Sequence, residues 1–388
     1  PFELRPYGPA FEEAEHRQRL GRAREALRAA DIDACIVVAP EHLYYLAGYD
    51  AHTHFSRQAL VFTAGDDEPT FIIRDVDIPP AAETSWVRDV RTYHYGADDP
   101  AQLIAKVIRE KAPAARRIGA DLSAYAMPAS YADSVRAALA PAEVIDTTAL
   151  IGNLRLLKSE AELTYTREAG RFARIGLEAA RATLRAGITE IEWASKIDAA
   201  MRDAGSEYPA MPTWVSSGER SAIGHGHPTG RGMQHGDIVH LEHAGVSRRY
   251  HVLGIQTFAI GEASPRAREI YDIAIASLRA GIEATKLGAP VSAIEHAADQ
   301  PLLPSGLNKF RFARFGYGTS IGYPPTWLDP LDITVESKQV MQPGMVFVLH
   351  TDLMVHPEKI GILVGSSYAM TEDGLEHLAG GDFDFEIV

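Results

Sequence analysis

Apolar positions early in the chain fall at helical spacing. Leu20, Ala23, Leu27 and Ala30 recur every third or fourth residue within 11–30, so an amphipathic helix is expected there. The period is then lost: DIDACIVVAP reads as a buried strand, and EHLYYLAGYD follows it, ending near Gly48. ALVFTAGDDEPTFIIRD reads as a hairpin with Gly65, Asp66 and Asp67 at its turn. Helix and strand patterns alternate as far as AEVIDTTALI, which gives an α/β unit of about 150 residues, an ordinary domain size.

Beyond this point the pattern changes. Residues 154–187 form one long helical stretch, with Ser159 and Glu162 spaced as a capping box. ITEIEWASKIDAAMRDAG predicts a second helix capped by Thr189, and SPRAREIYDIAIASLRAGIEATKLG a third. Period-two stretches predict hairpins over 238–260, 333–350 and 360–371. Long helices among antiparallel strands make this half α+β. The expected division is 1–152 and 153–388.

Composition narrows the function. The chain has 388 residues, 46% hydrophobic and 23% charged, as ordinary globular proteins do. Its formal charge of −14 argues against a nucleic-acid or anionic-membrane surface. One cysteine, Cys35, sits in a strand-like run, which excludes an internal disulfide and a cysteine-based zinc site. No run approaches the roughly 18 apolar residues of a membrane span. The first residues lack a signal-peptide pattern, so a cytoplasmic location is expected.

Chemistry concentrates in HLEHAGVSRRYHVLGIQTFAIG, residues 240–261, two strand-like runs joined by a polar turn. Alternation puts His240 and Glu242 on one face and His243 on the other. An arginine such as Arg248 or Arg249 is the expected partner if Glu242 is a buried structural carboxylate.

This hairpin, with LRLLKSEAEL, HLYYLAGYD, SSGERSAIGHGHP, FGYGTSIGYPPTW, MQPGMVFVLH and GSSYAMTEDG, resembles the pita-bread superfamily of methionine aminopeptidase, prolidase, creatinase and ectoine hydrolase. The resemblance covers almost the whole chain. It implies an α+β fold: a pita-bread C-terminal domain preceded by a smaller α/β creatinase-type N-terminal domain. The superfamily's peptidases hold two metal ions on five side chains. By resemblance those positions fall on Glu242, Leu253, Thr319, His350 and Gly365. Leucine and glycine donate nothing to a metal, so a standard dimetal peptidase is not expected. IGYPPTW and the hairpin are similar to the ectoine hydrolase branch. GHGHP and FGYGTSIG are similar to creatinase.

The resemblance implies a metal-independent hydrolase of a non-peptide C–N bond in a small cyclic amidine, amide or guanidino acid. Glu242 would act as nucleophile or general base, and His225 would protonate the departing nitrogen. His227 could take the place of His225. His350, His240 and Thr319 would face substrate. Tyr323 and Trp327 would form an aromatic wall. His52, Phe55 and Arg57 belong to a segment that, in homodimers of the superfamily, reaches the neighbouring cavity, where Arg57 could pair with a substrate carboxylate. No metal or other cofactor is expected. Alternatives are a creatinase-type amidinohydrolase, a lyase or Xaa-Pro-type peptidase using one histidine-bound metal, and a non-catalytic peptide-binding module.

Overall fold

The structure, a computed structural model, describes residues 7–51, 56–380 and 383–388. The chain divides into two compact units, Pro1–Arg155 and Leu156–Val388. His52 and Phe55 lie outside the described residues.

In chain order the first unit contains α1 (Glu13–Ala29), β1 (Ala34–Val37), α2 (Pro40–Ala47), β2 (Ala59–Thr63), β3 (Thr70–Arg74), α3 (Ile78–Thr84) and β4 (Asp89–Tyr93). It continues with α4 (Pro100–Lys111), β5 (Arg117–Ala120), α5 (Ala129–Leu139), β6 (Glu143–Asp146) and α6 (Thr148–Asn153). Its strands make one mixed sheet in the order β4-β3-β2-β1-β5-β6, the expected α/β unit. Ile36, Val61 and Ile72 of the sheet pack with Ile104, Ile108 and Val135 of α4 and α5. Cys35 is buried in β1, and its burial pushes the thiol far above the usual range, so it behaves as core.

The second unit opens with α7 (Glu160–Thr183), α8 (Glu190–Asp203), β7 (Trp214–Ser217), β8 (Ile238–Ser247) and β9 (Tyr250–Ala259). Next come α9 (Pro265–Ala284), α10 (Val291–Asp299), β10 (Gly316–Tyr323) and β11 (Thr326–Ile333). β12 (Val346–Val355), β13 (Ile360–Thr371), β14 (Gly374–Gly380) and β15 (Glu386–Ile387) complete it. The main path of its sheet is β11-β10-β12-β13-β9-β8-β7. This is the expected α+β pattern, with two corrections. Residues 360–371 are not a hairpin but the single strand β13, whose antiparallel partner β14 follows it. Residues 333–350 are not a hairpin. β11 ends at Ile333, and β12 pairs with β10 on one side and β13 on the other. The period of two around 333 and 350 belongs to two strands whose partners lie elsewhere in sequence.

Both capping boxes form. Ser159 and Glu162 cap α7, and Thr189 and Glu192 cap α8. Glu162 does more than cap: its second oxygen accepts from the Tyr250 hydroxyl at 2.8 Å, fixing the start of α7 against β9. α7 lies directly on the β8–β9 hairpin, and the contact depends on Gly245. A Cβ there would sit 2.2 Å from the Ala169 carbonyl oxygen and 2.4 Å from the Ala173 nitrogen. Beside it, His243 donates from Nε2 to the Ala173 carbonyl at 2.9 Å. The outer face of β8 therefore belongs to the helix, and its other face is left for the site.

Gly245→Ala would drive a methyl into helix backbone that cannot move aside. The expected cost is about 1–3 kcal/mol or more in urea unfolding. A variant with an unchanged midpoint would show that α7 does not lie this close to the hairpin.

Candidate active site

A cavity of about 210 Å³ opens within the second unit. β8, β10 and β12 each send side chains into it. From β8 come His240 and Glu242, two residues apart and so on one face. From β12 come His350, Asp352 and Met354, again at the strand period. Tyr317 enters from β10, and Arg314 and Phe312 from the segment before it.

Glu242 pairs with Tyr317. The phenol donates to Oε1 at 2.9 Å. This corrects the expectation of an arginine partner: Arg249 is taken by Glu207, with Nε to carboxylate at 2.9 Å. Burial outweighs the tyrosine bond and raises the Glu242 pKa to about 7. Asp352 is raised to about 7, first by burial, with the nearby Glu242 charge adding to it. Two carboxyl groups therefore share one cavity, each poised near neutrality.

His350 lies beside them, 5% exposed. Its ring meets that of Tyr317 edge-on at 5.4 Å. Its Nδ1 is 3.8 Å from Asp352 Oδ2, beyond hydrogen-bond reach. Neither ring nitrogen has a hydrogen-bond partner among the described residues. Burial, with Arg314 and Arg311 nearby, lowers its pKa to about 3, so the imidazole is neutral. His240 is also neutral, its pKa lowered to about 4 by burial, but it is committed: Nε2 donates to the Ser221 carbonyl at 2.9 Å.

His225 sits on the rim, in a loop pinned at both ends by one buried carboxylate. Glu190 accepts from the backbone of Ser217 at 3.0 Å and of Thr229 at 2.9 Å, and from both hydroxyls. The loop between them holds His225 at φ 55. The His225 ring lies 5.3 Å from Trp214 and 5.0 Å from Phe312.

The cavity thus gathers His225, His240, Glu242, Trp327 and His350. Other sequence candidates fall elsewhere. His227 stacks on Trp214 at 5.0 Å and is outside the cavity wall. Thr319 is buried off the cavity because the β10–β11 register shifts around it. Tyr323 is fully buried beneath Arg249 rather than forming a wall. Arg57 belongs to the first unit, where its guanidinium lies 5.0 Å from the Tyr131 ring centre. Sequence reasoning missed Tyr317, Asp352 and Arg314. Asp352 had a signal, since it stands two residues after His350 on the same strand face. Tyr317 and Arg314 had none that periodicity could supply.

The sequence matches metallopeptidase family M24 over residues 164–372 and the creatinase/prolidase N-terminal domain over residues 19–157. It is 29% identical to the uncharacterized hydrolase/peptidase y4tM of Sinorhizobium fredii, over 95% of this chain and 96% of that protein. It is 24% identical to the ectoine hydrolase of Halomonas elongata, over 95% of this chain and 96% of that protein. The dipeptidase PepE of Mycobacterium ulcerans has the same fold, with TM-score 0.86 and 26% identity over 97% of this chain and 99% of that one. Likeness to ectoine hydrolase is thus no stronger than likeness to proteins named as peptidases.

The family's name implies a metal, so the donors can be tested against one. Leu253 packs in an apolar cluster with Ile255, Trp327 and Leu363. Gly365 faces His350 across the β12–β13 pair, and a Cβ at 365 would lie 2.8 Å from the His350 Cβ. Among the described residues, no group of three or more His, Cys, Asp or Glu could hold a metal ion. These side chains do not fit a two-metal centre.

Glu242 keeps its proton in the fold up to pH about 7, whereas a free carboxyl ionises near 4.5. The folded state therefore holds an extra proton between those values, and stability falls as pH rises through that window. Solvent reaching the half-buried side chain limits the effect to at most about 3 kcal/mol. Glu242→Gln should flatten part of this slope and gain stability over the parent above pH 7. Urea midpoints across the pH range measure it, and parallel profiles for parent and variant would refute it.

Proposed function

Because the chain belongs to metallopeptidase family M24, whose two-metal chemistry its cavity residues do not fit, we propose a hydrolase that cleaves a C–N bond in a small molecule without a metal. The observation that carries this reading is Glu242, a half-buried carboxyl near neutral pKa that hydrogen-bonds Tyr317 in a cavity also lined by Trp327 and Leu363. A group half-ionised near neutrality can both take and return a proton, which suits a general base. Ionised, it can activate water or itself attack an electrophilic amide or amidine carbon. Tyr317 holds the carboxyl in place during either step. His225 at the rim protonates the departing nitrogen. His350, neutral and unpartnered among the described residues, offers one donor and one acceptor to the substrate.

The cavity of about 210 Å³ favours a compact molecule. Cyclic amidines, amides and guanidino acids are the class in view, with an ectoine hydrolase-like substrate first and a creatinase-like one second. The reading includes a homodimer in which the segment around Arg57 completes the neighbouring cavity.

The peptidase-named relatives favour a second reading, hydrolysis of a short peptide such as an Xaa-Pro dipeptide. Here the two readings part on metal. A thermal-shift panel of ectoines, creatine, hydantoins, cyclic dipeptides and Xaa-Pro dipeptides should select the ligand. On that ligand, Glu242→Gln should lose about 10²–10⁴-fold in kcat. Dialysis against EDTA should leave the parent's rate unchanged. Retained turnover in the variant would remove Glu242 from the chemical step. Near-stoichiometric metal in the purified protein, with activity lost on chelation, would favour the peptidase.

A further inference from the structure

Arg314 enters the cavity from the segment before β10 and plays no part in the chemistry above. Two contacts fix it. Its guanidinium lies 4.9 Å from the Tyr317 ring centre. Its Nε faces Asp332 Oδ1 at 2.8 Å. The two terminal nitrogens make no hydrogen bond to any described residue. A guanidinium stacked on Tyr317, with Nε near Asp332 but making no hydrogen bond to it, keeps its terminal nitrogens for another partner. Those two nitrogens form a planar fork that matches the two oxygens of a carboxylate.

His350 lines the same cavity, with both ring nitrogens unpartnered among the described residues. A buried polar side chain without a protein partner costs stability unless a ligand or water completes it. It offers one N–H to an anion beside the fork.

The remaining groups decide which anion fits. Glu242 and Asp352 line the cavity as well, so a dianionic phosphate would meet two acidic neighbours. A singly charged, planar carboxylate meets less repulsion and fills the fork.

We propose that Arg314, assisted by His350, is the anchoring subsite for a carboxylate on the substrate. Arg314 is then a specificity-determining residue: it selects acids over the corresponding amides and sets which end of the molecule reaches Glu242. This rests on reading the cavity as a small-molecule hydrolase site.

Formate is the smallest probe, and formamide its uncharged counterpart. Carbon-13 formate titrated into the full chain should show saturable line broadening, and carbon-13 formamide should not. Arg314→Gln should weaken formate binding by about tenfold or more, the loss expected of a charge-assisted pair. Arg266→Gln, which removes a surface guanidinium paired with Glu358 away from the cavity, should leave it unchanged. Arg314→Lys keeps the charge without the fork and should also weaken binding; it serves if the glutamine variant does not fold. The proposal fails if the parent does not broaden formate, if formamide responds equally, or if either Arg314 variant binds as the parent does. It also fails if Arg266→Gln abolishes the response. Absence of turnover on every C–N substrate would instead sink the hydrolase reading while leaving formate binding intact.

Discussion

The hydrogen bond from the Tyr317 hydroxyl to Glu242 ties together the strands that build the cavity. It spans 2.9 Å between β10 and β8. A carboxyl in this cavity is desolvated by burial, and without a donor it would be a costly orphan. The tyrosine supplies that donor and then serves two further neighbours. Its ring packs edge-on against His350 and lies beneath the Arg314 guanidinium. One aromatic side chain thus sets the position of a carboxylate, an imidazole and a guanidinium. None of these relations needs an ion to hold it.

The surrounding fold keeps this constellation still. β8 is trapped between α7 and the cavity, because Gly245 lets the helix backbone approach and His243 bonds to it. The loop carrying His225 is tied at both ends to Glu190. His240 uses its own ring to hold Ser221, so it acts as a positioning side chain. A site on strands whose neighbours are this restricted varies little in geometry, which suits a reaction that depends on placement.

Family membership and site chemistry point in different directions, and both follow from particular residues. The scaffold is that of family M24, and its relatives include proteins named as peptidases. At the positions where the resemblance places metal ligands, this chain holds an apolar side chain at Leu253 and no side chain at Gly365. The packing around them has closed. Leu253 has joined a hydrophobic cluster, and the space beside Gly365 is taken by His350. A side chain at position 365 would require His350 to move, and a carboxylate at 253 would sit unpaired among apolar neighbours.

Much of the architecture could be read from the sequence, because it depends on local patterns. The capping boxes at Ser159 and Thr189, the alternation of His240 with Glu242, and the change from α/β to α+β patterning are each written in a few adjacent residues. The losses at Leu253 and Gly365 were equally visible, since a side chain that cannot donate needs no structure to disqualify it. What the tertiary structure decided were contacts between residues far apart in the chain. Tyr317 and Glu242 are 75 positions apart, and no period links them. Nor does any local rule choose Tyr317 over an arginine as the partner of Glu242, retire Thr319 and Tyr323 to buried positions off the cavity, or bring Arg314 into the cavity wall. Those outcomes depend on strand register and on which desolvated group finds which donor, and both are settled only when the sheet closes.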